Sequence, residues 1–123
     1  PHLDAANQAR RRLAQRYDEL LADTDLVVPV EPEEVHSVYH LYVVRSPRRD
    51  EIVETLRSQG IEAGVHYPLP LHLQPAYGFL GLRPGSFPVS EVTALQVLSL
   101  PLFPEMTFEQ QDRVVQTIKL AIA

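Results

Sequence analysis

No cysteine occurs in the 123 residues, which excludes a disulfide framework and a thiolate metal site and fits a reducing cytoplasm. Excess positive charge is missing too: 11 Lys+Arg stand against 16 Asp+Glu, a net charge of −5. The chain thus lacks the positive field by which proteins usually hold nucleic acid or anionic membranes, and neither is an expected partner. No apolar run approaches the roughly 18 residues of a membrane span, and the start Pro1-His2-Leu3-Asp4 resembles no signal peptide. Without an initiator methionine, and with an amphipathic pattern beginning almost at once, the sequence reads as a piece of a longer protein. Lysine is nearly absent: Lys119 stands alone, in the last turn of an expected terminal helix where a cation meets the negative end of the helix dipole. Also lacking are G-x-G-x-x-G, G-x-x-x-x-G-K, G-x-S-x-G and H-E-x-x-H, so no complete catalytic machine is visible. Internal repeats and low-complexity tracts are not seen.

What is present suffices for one compact domain, since 45% of the residues are hydrophobic. Leu13, Tyr17, Leu20 and Leu21, with Ala6 and Leu3 upstream, fall at helical spacing and predict an amphipathic helix over 3–22. Leu26-Val27-Val28 is a short extended piece, and Pro29 to Glu34 a solvated loop. The β-branched and aromatic run Val38 to Val44 predicts a strand covered on both faces. Ser46-Pro47 supplies a cap and a first-turn proline for a helix over about 47–59, closed at Gly60 with Ile61 placed to touch Leu56 in a Schellman-type cap. Ala63 to His66 is a plausible second core strand. From Tyr67 to Pro88, proline and glycine forbid long regular elements, while the interleaved Leu and Tyr argue against disorder. Ser90 is expected to cap a helix over about 91–98. Leu98 to Phe103 reads as an edge strand ended by proline. Thr107-Phe108-Glu109-Gln110 is a capping-box pattern opening a last helix with Val114, Val115, Ile118 and Ile122 on one face. The fold class expected is α+β, a small mostly antiparallel sheet covered by helices.

Five histidines are present. His36 and His40, four apart, form a metal site only if Glu33 or Glu34 joins them. A partly buried His40 bonded to backbone is the preferred reading. His66 and His72 bracket the stiff segment Tyr67-Pro68-Leu69-Pro70-Leu71, whose prolines lower the entropy lost when side chains are held in place. From spacing alone, a loop that presents rings to a ligand and a loop that packs on the sheet are equally served.

The stretches Tyr39 to Arg45, Gly64-Val65-His66-Tyr67-Pro68-Leu69-Pro70-Leu71-His72-Leu73-Gln74, Phe87-Pro88-Val89-Ser90-Glu91 and Leu98-Ser99-Leu100-Pro101 are similar, in order and spacing, to the carboxyl-terminal region of the DegT/DnrJ/EryC1/StrS aminotransferases. The resemblance covers nearly the whole chain. It implies the small carboxyl-terminal domain of a fold-type I, aspartate-aminotransferase-like enzyme, with residues 1–123 as a single domain and the large domain that binds pyridoxal phosphate (PLP) lying before Pro1. It further implies a parent that moves an amino group from an amino acid, commonly glutamate, to a nucleotide-linked keto-sugar, and that forms a homodimer through the large domain. Some members carry histidine instead of the cofactor lysine and catalyse sugar dehydration. Carried over by motif, His66 and Tyr67 lie near the sugar, with His72 and Gln74 as weaker substrate-binding candidates that brace the loop. No catalytic, cofactor-binding or metal-ligating residue is assigned within this chain, and alone it is expected to be inactive. Apolar surface on the first helix or around Leu69, Leu71 and Leu73 is expected to be left uncovered. The alternative of another class is a stand-alone sugar- or nucleotide-binding module without catalysis.

Overall fold

A computed structural model describes residues 2–123. The first helix, α1, spans Leu3–Leu21 and buries Leu13, Ala14, Tyr17 and Leu21, the stripe its periodicity predicts. At its start the stripe has no partner: Leu3 is exposed. A two-stranded antiparallel sheet follows, made of β1 (Tyr42–Arg45) and β2 (Val97–Leu100) in the register Tyr42↔Leu100, Val43↔Ser99, Val44↔Leu98, Arg45↔Val97. Single antiparallel bridges widen it on both sides, Val27 to Arg45 and Gly64 to Ser99.

The extended piece at 26–28 contributes one bridging residue, Val27, and the strand expected at 63–66 is reduced to one, Gly64. The run Val38 to Val44 is strand only from Tyr42 onward. Its first half is taken by a polar clasp: Arg11 donates to Glu31 and to the Ser37 carbonyl, and Glu31 also accepts from the Ser37 N–H and the Tyr39 hydroxyl. Tyr39 is held at φ 47°, a left-handed conformation that its β-propensity opposes. Burial, then Glu31, pushes the Tyr39 phenol up to about 12, so it remains a donor at neutral pH. His40 stands exposed instead of half-buried.

Helix α2 (Arg49–Ser58) starts two residues later than the proline predicts. The Ser46 hydroxyl caps a turn leading into it, accepting from the Arg48 N–H at 3.0 Å. Its end is as expected: Gly60 takes φ 69°, and the Ile61 N–H reaches the Leu56 carbonyl at 2.9 Å, the six-to-one bond of a Schellman motif. Helix α3 covers Pro88–Gln96, so Pro88 opens it and Ser90 lies inside. β2 is not an edge, because Gly64 pairs with it on the side away from β1. Pro101 lies beyond its end and offers its carbonyl to the buried Tyr17 hydroxyl at 2.9 Å. Helix α4 (Phe108–Ile122) begins with the complete capping box, Thr107 and Gln110 each accepting the other's N–H.

The strand alternation divides the molecule. Tyr42 and Val44 of β1, with Leu98 and Leu100 of β2, join the single core with Tyr17 and Leu21 of α1, Ile52 and Leu56 of α2, and Val114 and Ile118 of α4. Val97 and Ser99 point the other way, toward α3 and the 65–74 segment. Among the described residues no helix is long and apolar enough to cross a membrane.

Candidate functional site

On that other face lies a groove of about 340 Å³ between the proline-rich loop and α3. His66, Tyr67, Leu71 and Gln74 line it from the loop, Val89, Thr93 and Ala94 from α3, and Val97 from β2. Two short 3₁₀ turns, Leu71–Leu73 and Pro75–Leu80, give the loop its shape, as expected where prolines prevent longer helices. Tyr67 is 71% exposed. Its ring meets that of His66 edge-on, with centroids 5.7 Å apart. The His66 Nδ1 lies 2.9 Å from the hydroxyl of Ser99.

Three of the four residues singled out from the sequence, His66, Tyr67 and Gln74, therefore share the groove. His72 does not line it. Its Nε2 is 3.0 Å from a Glu91 oxygen, and its ring lies edge-on to Phe87 at 4.9 Å. The same carboxylate accepts the N–H groups of Gly85 and Phe87. Glu91 thus ties three parts of the loop to the first turn of α3, and those backbone donors, with His72, hold its carboxyl below the usual carboxylate range. A group depressed in the fold stabilises it at neutral pH and loses that contribution as pH falls through its folded value. In Glu91→Gln, the Gly85 and Phe87 amides are expected to lose hydrogen-exchange protection while those of α1 and α4 keep theirs. In the unmodified chain the same two amides should loosen on acidification below the ordinary glutamate value of 4.5. Unchanged protection at both would show that the carboxylate does not hold the loop.

Lys119 takes no part in the groove. Its Nζ is paired with the Asp23 carboxylate at 2.6 and 2.9 Å, joining the end of α4 to the chain just after α1, and this bond holds the Asp23 carboxyl low. Among the described residues no group of three His, Cys, Asp or Glu is placed to hold a metal ion. His36 and His40 stand exposed without a third ligand.

Around the groove the surface is unusually apolar. On α3, Val89 is 79% and Leu95 65% exposed, with Val92 between them. Leu69 and Leu71 at the groove are exposed as well, as are Phe79 and Phe87 further along the loop. A helix apolar on its outer as well as its inner side is ordinarily covered on both.

The family model of the DegT/DnrJ/EryC1/StrS aminotransferase family matches residues 1–119. A "pleiotropic regulatory protein" of Geobacillus stearothermophilus is 47% identical over 121 residues, which are 96% of this chain and 32% of the relative. The dTDP-3-amino-3,4,6-trideoxy-alpha-D-glucose transaminase of Micromonospora megalomicea subsp. nigra is 40% identical over 125 residues, 98% of this chain and 33% of that enzyme. Among solved structures, S. venezuelae DesV in complex with a ketimine intermediate superposes with a TM-score of 0.93 at 40% identity, covering 99% of this chain and 33% of its own. The chain spans about a third of the length of each.

Proposed function

Because this chain belongs to the DegT/DnrJ/EryC1/StrS aminotransferase family, we propose that it is the carboxyl-terminal small domain of a PLP-dependent enzyme that moves an amino group from an amino-acid donor, glutamate in the first instance, to a nucleotide-linked keto-sugar. The observation that carries this reading is the groove, in which His66, Tyr67 and Gln74 converge beside an apolar helix face. The groove suits a sugar: rings with apolar faces meet C–H groups, and polar tips meet hydroxyls. His72, tied to Glu91, braces the loop and does not touch the ligand.

These residues do not fit the cofactor. When bound, PLP would supply an electron sink and would be held through a lysine amine, and the sole lysine is engaged with Asp23 on the core side of the sheet. Residues 1–123 accordingly act on the sugar side alone, binding it and helping to keep water from it, while proton transfers belong to the larger remainder of the parent. The exposed faces of α3 and the loop are the surface that this remainder covers, and through it the parent forms a cytoplasmic homodimer.

The parent gene's complete reading frame supplies the test. Its purified product is expected to convert a nucleotide-linked keto-sugar and glutamate to the amino sugar and 2-oxoglutarate, while residues 1–123 alone transfer no amino group and form no reducible PLP adduct. Turnover by the isolated chain with PLP trapped on Lys119 would overturn the proposal, as would a complete product that leaves keto-sugars untouched.

A further inference from the structure

His66 sits in a seat built by Gly64 and Ser99, which do not line the groove. Ser99 is the central residue of the widened sheet, paired with Val43 on one side and Gly64 on the other. It is 5% exposed, and its hydroxyl lies 2.9 Å from the His66 Nδ1. Across the bridge, where the Gly64 and Ser99 backbones exchange N–H···O bonds of 3.1 and 2.7 Å, the His66 ring folds back over the Gly64 Cα. A Cβ at residue 64 would run into the ring's Cε1 and lie 3.1 Å from Nδ1 and 3.2 Å from Nε2. Space at one position and a hydroxyl at the other therefore fix where the imidazole lies. Tyr67, edge-on at 5.7 Å, limits it on a further side.

We propose that Ser99 and Gly64 are positioning residues for His66, holding its Nδ1 on the sheet so that Nε2 is the polar atom left to meet a hydroxyl or carbonyl oxygen in the groove. The Ser99 hydroxyl has no other hydrogen-bond partner among the described residues, so its proton is donated to Nδ1 and the neutral ring carries its own proton on Nε2, since a buried donor is not left unpaired and the partner of one ring nitrogen determines the state of the other. The identity of the oxygen-bearing ligand as a sugar rests on the reading above; the seat itself does not.

The imidazole nitrogens report the seat directly, in this chain and without substrate. Long-range ¹H–¹⁵N correlation at a pH where His66 is neutral is expected to show one tautomer, with Nδ1 and Nε2 well separated. Ser99→Ala should give the averaged pattern of a free imidazole, and Ser99→Thr, which restores a hydroxyl, should recover the single form. Gly64→Ala should also lose it, with Ser99 intact, because the added methyl group moves the ring. Unchanged α1 and α4 amide shifts identify variants that keep the fold. An averaged His66 pattern in the unmodified chain overturns the proposal whether or not any variant folds, as does a Ser99→Ala variant with the unmodified signature. Since no sugar is present, neither outcome depends on the aminotransferase assay.

Discussion

Tyr42→Ala should destabilise the chain by about 3–5 kcal/mol, the cost of replacing a large buried aromatic by alanine. Tyr42 is fully buried at the start of β1, its ring 4.9 Å from that of Tyr17 and 6.3 Å from that of Tyr39. It lies where α1 meets the sheet, so the cavity would open between layers that the chain cannot close without moving a helix. Against the roughly 5–15 kcal/mol of a typical domain, this loss is a fifth of the stability or more. A urea midpoint close to that of the unmodified chain would show that the core rests elsewhere. Tyr42→Phe separates the ring from its hydroxyl, which donates to Asp18. Loss of that bond to a carboxylate should cost about 1.5–3 kcal/mol. Burial already raises the Asp18 carboxyl above its ordinary value, and the Tyr42 bond works against the rise; without it the carboxyl should rise further. A charged form disfavoured in the fold is relieved by protonation, so the stability gap between Tyr42→Phe and the unmodified chain should narrow as pH falls through the Asp18 pKa. Glu31 and Asp23, held low by Arg11 and Lys119, act in the opposite sense, and their contribution disappears in the same direction of pH.

His66→Ala and Tyr67→Phe carry the other large effect, on activity. Tyr67 is 71% exposed, so Tyr67→Phe should change stability by no more than about 0.5 kcal/mol, whereas His66→Ala also removes the partner of the Ser99 hydroxyl and should cost about 0.5–1.5 kcal/mol. In the parent enzyme each should nevertheless weaken sugar binding or turnover. One hydrogen bond is worth about 0.5–1.5 kcal/mol, or up to about 3 if charge-assisted, which corresponds to roughly 2- to 150-fold. The KM for glutamate and the absorbance of the bound cofactor should stay as they are, because the residues act on the sugar side. Steady-state kinetics with each substrate varied in turn make the distinction. If both variants treat the keto-sugar as the unmodified enzyme does, the loop is structural.

Signals contained within a few residues were legible in the sequence. The α1 stripe, the Gly60 cap and the Thr107–Gln110 box each depend on neighbours at most one or two turns away, and each stands where local rules place it. Long-range polar contacts decided the rest. No property of Val38-Tyr39-His40 announces that Arg11, more than twenty residues earlier, will clasp Glu31 and Ser37 and bend the start of the strand away. Helix α3 was misplaced at its start because Ser90 resembles a cap, whereas Pro88 was already suited to the first position. The motif stretch brought His66, Tyr67 and Gln74 to one groove. Its outlying members, Glu91 in Phe87 to Glu91 and Ser99 in Leu98 to Pro101, were visible as residues of the resemblance but not as holders of the loop and of the imidazole. Their roles depend on pairings across 19 and 33 residues, which spacing does not encode.

The alternation of β2 separates two kinds of change. Leu98 and Leu100 belong to the core, whereas Val97 lines the groove and Ser99 holds the imidazole. Changes at the odd positions act on the groove and on His66, whereas changes at the even positions act on the core, as long as the strand keeps its register. A one-residue slip would exchange the two sets at once, putting leucine under His66 and serine in the core. A laboratory library aimed at altered ligand preference should therefore vary 97 together with α3, keep the hydroxyl at 99, and leave 98 and 100, only one residue away, as they are.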